Sequence, residues 1–320
     1  MPLYGPIGPL VACVAKMAEE GNRWIARLVG GRTHEFERMA PKEVEQMDTF
    51  PREKYGPWAL ITGATSGIGR ELARQLASNH IHIIAVGRRQ ARLDELATEL
   101  KARFGVMTLP VQADLRDPEA IQTIISATRQ LDIGVVILNA GAELTGSFVH
   151  GSETDHLRLA QLNAIAPMQL AHHYGRLLAT RGRGGLMFVS SLFAYQGVPY
   201  VAHYAATKAY LLSLGEALHV ELKPYGVDVL VLSPGLTNTE MTANMALDFS
   251  KLPLIPQQPQ QVAAVGLQAL GRKATVVSGL LNKVMAWENR LLPRATPVSL
   301  LGFLIKRALK GGAGPEGRVA

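Results

Sequence analysis

Tyr204 and Lys208 stand four residues apart in a helical pattern, a spacing that puts both side chains on one face about one turn apart. A phenol is a weak acid, with a free pKa of about 10. A nearby ammonium group favours its ionised form, so the pair could pass a proton to or from a carbonyl or alcohol oxygen. Ser191 closes a short apolar run thirteen residues before Tyr204, and a strand end would bring its hydroxyl to the same place. Each feature also has an ordinary reading: a Tyr and a Lys on an amphipathic helix, and a serine satisfying local backbone at a strand terminus.

A second constellation suits a dinucleotide. Thr62-Gly63-Ala64-Thr65-Ser66-Gly67-Ile68-Gly69 follows an apolar run and opens onto a helical pattern from Arg70. Gly63 suits a tight turn, Gly67 a close approach of pyrophosphate to the backbone, and Gly69 close packing of helix on strand. The helix N-terminus then presents free N–H groups to the phosphates. A glycine triplet alone could be a plain turn; the strand before it and the helix after it make the case. The next apolar run ends at Val86-Gly87-Arg88-Arg89. No acid is present there to grip the ribose hydroxyls of NAD(H), whereas Arg88 and Arg89 could pair with a 2′-phosphate, so NADP(H) is favoured. Two solvated arginines are the alternative.

These residues need a frame that gathers them at one edge. Apolar runs rich in Val, Ile and Leu lie at Trp58–Thr62, Ile81–Val86, Val106–Val111, Val135–Leu138, Leu186–Ser190 and Val227–Leu232, with a seventh at Ala274–Ser278. Helical stretches alternate with them at Ile68–Asn79, Ala91–Phe104, Glu119–Gln130, Asp155–Thr180, Tyr204–Lys223 and Pro259–Gly271. The pattern predicts an α/β fold, a doubly wound parallel sheet of about seven strands with ligands along its carboxyl edge. Residues 1–57 form an N-terminal extension, 58–278 the Rossmann-like catalytic domain, and 279–320 a basic C-terminal extension.

The whole set resembles the short-chain dehydrogenase/reductase family, in its single-domain branch. The carrying residues are Thr62–Gly69 (TGATSGIG), Asp114, Asn139-Ala140-Gly141, Asn163, Ser191, Tyr204-Ala205-Ala206-Thr207-Lys208, and Pro234-Gly235 with Thr239, all in family order over about Trp58 to Ser278. The resemblance implies an oxidoreductase interconverting carbonyl and alcohol, with Tyr204 as acid/base, Ser191 orienting the substrate oxygen, and Lys208 holding the nicotinamide ribose and lowering the Tyr204 pKa. It makes Asn163 the support of a water that links Lys208 to solvent. Pro167, four residues on, independently predicts a helix kink there. It implies cofactor contacts from the glycine turn, from Asp114 with Leu115 beside it, from Asn139, Ala140 and Gly141, and from Pro234, Gly235, Thr237 and Thr239. Thr237 departs from the apolar residue common in the family. A homodimer or homotetramer through the long helices after Asp155 and Tyr204 is also implied. The competing reading is a silent NADP(H)-binding sensor, which would usually have lost Ser191, Tyr204 or Lys208.

Three segments would surround the substrate: Ala142–His150, Leu192–His203 and Leu236–Leu254. Met241, Met245, Leu247, Phe249, Leu252 and Leu254, with Phe193, Tyr195 and Val198, suit an apolar, bulky compound or else pack a lid onto the body. Composition narrows the rest. Of 320 residues 48% are hydrophobic, which is globular composition. One cysteine, Cys13, excludes an intrachain disulfide, and no metal site is expected. Residues 271–320 carry nine Lys or Arg against two acids, the whole net charge of +7, while residues 1–270 balance. A nucleic-acid partner is therefore not expected. Pro2–Ala15 makes a poor secretory signal, and a cytoplasmic protein is expected. Ser299–Lys310 reads as a basic amphipathic helix capped by Ser299, open to a membrane surface, a partner or the protein body. A smaller helix is expected at Asn22–Val29.

Overall fold

Short runs of branched apolar residues, buried on both faces, build a parallel sheet. In the computed structural model, which describes residues 50–252, 254–288 and 293–310 and the backbone of 318–319, its strands are β1 Trp58–Thr62, β2 His82–Gly87, β3 Thr108–Gln112, β4 Ile133–Leu138, β5 Gly184–Val189, β6 Val227–Ser233 and β7 Thr275–Val277. Their order is β3-β2-β1-β4-β5-β6-β7, with every neighbouring pair parallel. All residues of β4 and β5 are buried, which explains why these runs lack an alternating pattern. The order reverses between β1 and β4, and such a switch opens a crevice at the strands' carboxyl ends. All seven expected strands are present; β1 has the expected bounds and the others differ by one or two residues at one or both ends.

The helices are α1 Gly67–Ser78, α2 Gln90–Phe104, α3 Ala120–Thr128, α4 Glu153–Ala160, α5 Ala166–Arg181, α6 Ala202–Leu222, α7 Glu240–Asn244, α8 Pro259–Ala269, α9 Leu280–Glu288 and α10 Ala295–Ala308. One layer, drawn from α3, α5 and α6, packs on Leu60, Ile84, Val136, Leu186, Phe188 and Val229 of the sheet. Between α4 and α5 the chain makes a single π-helical turn, Gln161–Ile165, in which the Ala166 N–H reaches back to the Gln161 carbonyl. The expected irregularity near Pro167 thus takes the form of a π turn. Proline lacks the N–H that would bond the carbonyl four residues back, that of Asn163.

At the amino edge of the sheet a polar lock closes the structure. The Tyr55 hydroxyl donates to Asp228 Oδ2 at 2.5 Å, and Lys54 pairs with the same carboxylate. Arg181, at the end of α5, donates to Asp132 at 2.7 Å and to the Lys54 carbonyl at 3.0 Å. A side chain at Gly134 or Gly185 would run into Tyr55.

From Thr49 onward the chain forms one compact unit, so the C-terminal segment belongs to the body. The expectation for Ser299 needs correction. Helix α10 begins at Ala295 and carries Pro297 in its first turn, where a missing N–H does no harm, so Ser299 lies within the helix and caps nothing. Pro297, Gly302, Ile305 and Ala308 are buried. Gly302 rests on Pro199, and the Asp248 N–H donates to the Ala308 carbonyl at 2.7 Å, so α10 roofs two of the three segments expected around the substrate. Of the apolar side chains in the Ser299–Lys310 stretch, Ile305 is buried and Leu301, Leu304 and Leu309 pack against its apolar cluster, as docking on the body requires, while Phe303 stays exposed. The expectations for Pro2–Ala15, Cys13 and Asn22–Val29 fall outside the described residues.

Candidate active site

The end of β5 and the start of α6 are stitched together residue by residue. Ser190 Oγ donates to the Lys208 carbonyl at 2.7 Å, and Lys208 Nζ donates to the Val189 carbonyl at 2.9 Å. The Ser191 hydroxyl accepts from Phe193 N–H at 3.1 Å and is hydrogen-bonded to the Tyr204 phenol. Tyr204 and Lys208 are both buried, the ammonium 5.8 Å from the phenol ring centre. The serine, tyrosine and lysine singled out by type and spacing therefore meet at the carboxyl edge.

Asn163, from the π turn, fixes the neighbouring strand exit. Its Oδ1 accepts from Ala142 N–H at 3.0 Å, while Nδ2 donates to the Ala142 carbonyl at 2.8 Å and to Thr207 Oγ1 at 3.1 Å. A side chain at Gly141 would meet both Lys208 Nζ and Asn163 Oδ1, so the glycine is what lets the two converge. Thr207 in turn donates to the Tyr204 carbonyl at 2.8 Å, joining Asn163 to the catalytic helix.

The electrostatics depart from the expected pattern. Burial dominates and pushes the Tyr204 phenol up to about 12, against a lowering contribution from Ser191. Burial also brings Lys208 down to about 8. The ammonium does not depress the phenol here, because it is turned to the Val189 carbonyl. A residue not foreseen contributes in the same upward direction: Glu143, only 1% exposed, whose charge opposes ionisation of Tyr204. Glu143 accepts from Thr145 Oγ1 at 2.5 Å, and burial raises its own pKa. The signal available in the sequence was a lone acid within the otherwise uncharged Ala142–Val149 run.

The glycine turn has the shape a dinucleotide needs. Gly63 and Gly67 adopt φ of 68° and 52°, the left-handed region that favours glycine. A side chain at Gly69 would strike the Gly63 carbonyl and Asn139 Nδ2. No side chain caps α1, since the extended Ser66 takes none of its N–H groups, and the first turn is left free for an anion. A cavity of about 780 Å³ adjoins Thr65, Ser66 and Gly67 and reaches Arg92, Asn238 and Glu240. It does not extend to Tyr204. These features fit a nucleotide phosphate.

Several expected contacts serve the frame. Thr62 Oγ1 accepts from Asn139 and Ala140 N–H, both at 3.0 Å, and Asn139 Nδ2 donates to the Thr62 carbonyl at 2.9 Å. Thr239 caps α7 with its hydroxyl bonded to Thr242 N–H, and its methyl group lies over Gly67. Thr237 donates to the Gly235 carbonyl, and the Pro234 carbonyl accepts from Leu192 N–H. Leu115 turns into the core. Asp114 is paired with Arg116, which lowers its pKa. Arg89 meets Glu240 at 3.2 Å, with Arg92 on the same carboxylate, while Arg88 is exposed and has no acidic partner within salt-bridge distance among the described residues. Ile68 stays half-buried in the first turn of α1. Met245, Leu247, Leu252 and Val198 are buried in one apolar cluster with Ile305 of α10, and Tyr204 belongs to that cluster. Among the described residues no group of three or more His, Cys, Asp or Glu could hold a metal.

The chain matches the family model described as short chain dehydrogenase over residues 57–248. It is 32% identical over 251 residues to 7beta-hydroxysteroid dehydrogenase of Clostridium sardiniense, covering 78% of this chain and 96% of that protein. A solved 7beta-hydroxysteroid dehydrogenase superposes with a TM-score of 0.73 at 30% identity, covering 78% of this chain and 98% of the other. A short-chain dehydrogenase from Sphingobium yanoikuyae, solved with NADPH, gives a TM-score of 0.66 at 29% identity over 74% of this chain and 94% of that one.

Proposed function

Since the chain belongs to the short-chain dehydrogenase family and is an oxidoreductase working between alcohol and carbonyl carbons, we propose that it reduces a bulky apolar ketone with NADPH, Tyr204 supplying the proton. The carrying observation is the place of Tyr204: bonded to Ser191, beside Lys208, and inside an apolar cluster. A substrate oxygen that reaches the phenol brings its carbon skeleton among Val198, Met245, Leu247 and Leu252. A phenol held near 12 stays protonated at neutral pH, the state reduction requires.

Ser191, bonded to the phenol, would hold the substrate oxygen in line for that proton. Lys208, still mostly charged at pH 7, would leave the Val189 carbonyl to hold a ribose hydroxyl. Asn163 keeps Ala142 and Thr207 in place around both. The free N–H groups of α1 would take the pyrophosphate. Bound along this edge, the nicotinamide supplies the hydride. The NADP(H) preference rests on Gly87, which offers no acid to a ribose, and on the exposed guanidinium of Arg88, which has no acid within salt-bridge distance among the described residues. Apolar residues exposed on the long helical hairpin, Leu157, Ile165, Leu177, Tyr210 and Val220, support a homodimer or homotetramer through that face.

The test is oxidation of NADPH and NADH with a panel of bulky ketones that includes a 7-oxo steroid. Turnover with NADPH is expected, and Arg88→Asp should shift kcat/KM toward NADH by about tenfold or more. An unchanged cofactor ratio would refute the role of Arg88. NADPH binding without turnover across the panel would turn the reading toward a sensor.

A further inference from the structure

Glu240, the first residue of α7, reaches a distant part of the chain. Its carboxylate meets the Arg89 guanidinium at 3.2 Å and also pairs with Arg92. These partners lie 151 and 148 residues away along the chain. Arg89 holds the N-cap position of α2, just past the end of β2, and Arg92 lies in the first turn of that helix. Arg92 and Glu240 line the same cavity as Thr65, Ser66 and Gly67. One residue before Glu240, the Thr239 methyl group lies over Gly67. The start of α7 thus joins the glycine turn to the arginines that follow β2.

Other cations near this cavity are committed elsewhere. Arg70, on its wall, donates to Glu95 at 2.6 Å and to Glu99 at 2.8 Å. Arg116 pairs with Asp114. Arg88, Arg89 and Arg92 remain around the end of β2, where the 2′-phosphate of NADP(H) is expected, and Glu240 holds two of the three. The guanidinium groups, Arg92 foremost, keep its carboxyl below the usual range, so it is charged at neutral pH. The side chains of Glu240, Arg89 and Arg92 are 50%, 46% and 38% exposed, and an ion pair so exposed to water is weak. A phosphate brings up to two charges and three acceptor oxygens to the same donors. A guanidinium turned to Glu240 has fewer N–H groups left for that phosphate.

We propose that Glu240 is a specificity-determining residue that competes with the 2′-phosphate of NADP(H) for Arg89 and Arg92, so that cofactor binding exchanges an internal ion pair for a phosphate contact. The inference rests on the NADP(H) reading, and its test separates the two. The probes are 2′,5′-ADP and 5′-ADP, which differ only in the 2′-phosphate, titrated calorimetrically into the full-length protein. Wild-type protein should bind 2′,5′-ADP more tightly. Equal affinity for the two probes in both wild type and Glu240→Gln would remove the NADP(H) reading and the competition with it. Glu240→Gln should tighten 2′,5′-ADP by about two- to fivefold and leave 5′-ADP unchanged. In an Arg89→Gln background the same change should gain less, because one of the contested cations is gone. A wild-type preference for 2′,5′-ADP that Glu240→Gln leaves unaltered would overturn the competition while the NADP(H) reading stands. So would an equal gain for both probes, which a diffuse loss of negative charge produces, or a gain undiminished without Arg89.

Discussion

Two buried tyrosines stand at opposite edges of one sheet, and their partners make them different. Tyr55, at the amino edge, gives its proton to a hydrogen bond with a carboxylate, and burial and Asp228 together push its phenol well above the usual range. It is locked. Tyr204, at the carboxyl edge, is paired with a neutral hydroxyl, has an ammonium close by, and is likewise raised by burial, yet no acceptor takes its proton irrevocably. The amino edge is built from complete ion pairs and glycines that admit a ring. The carboxyl edge keeps helix N–H groups free and gathers ionisable groups in apolar surroundings, an arrangement that serves chemistry more than stability.

The same substitution at both tyrosines tests this division. Tyr204→Phe should lower kcat by about 10²–10⁴-fold with little change in NADPH affinity or melting temperature. Near-normal rates would remove the phenol from the mechanism. Tyr55→Phe should leave kcat intact and cost about 1–3 kcal/mol, since Asp228 loses a buried donor, and thermal unfolding would show it as a lowered midpoint. A loss of turnover in that variant without a loss of stability would break the contrast. A finer effect is expected at Glu143. Its negative charge disfavours the phenolate, so Glu143→Gln should lower the Tyr204 pKa and move the rising limb of the pH profile for alcohol oxidation to lower pH. An upward move, or none, would show that the carboxyl group is already neutral or acts elsewhere.

The sheet was legible because its strands are buried on both sides and therefore unbroken runs of Val, Ile and Leu. The serine, tyrosine and lysine were legible because helix pitch and strand ends constrain where such residues can meet. Other features depend on contacts between distant segments. Nothing local announces that Tyr55 will find Asp228, or that Thr62 and Thr239 will commit their hydroxyls to the backbone instead of a ligand. Ser299 could cap only a helix that starts behind it, yet α10 begins four residues earlier and accommodates Pro297 in its first turn. The upward shift of Tyr204 was not legible because its main cause, burial, is a property of the folded chain. Glu143 escaped for the same reason: an acid in a loop reads as solvated until the roof above it is known.

Gly235 carries a last implication. Gly235, an expected cofactor contact, touches α9 directly through Asn282, with no space between them even for a methyl group. The family-matched stretch ends at residue 248, some thirty residues before that helix begins. A fragment trimmed to the match would keep Ser191, Tyr204, Lys208 and the glycine turn, yet lose β7 and the side chain that stands behind Gly235. Asn282 backs Gly235 from outside the matched stretch, so shortening the chain from its carboxyl end should loosen the nucleotide before it touches the reaction.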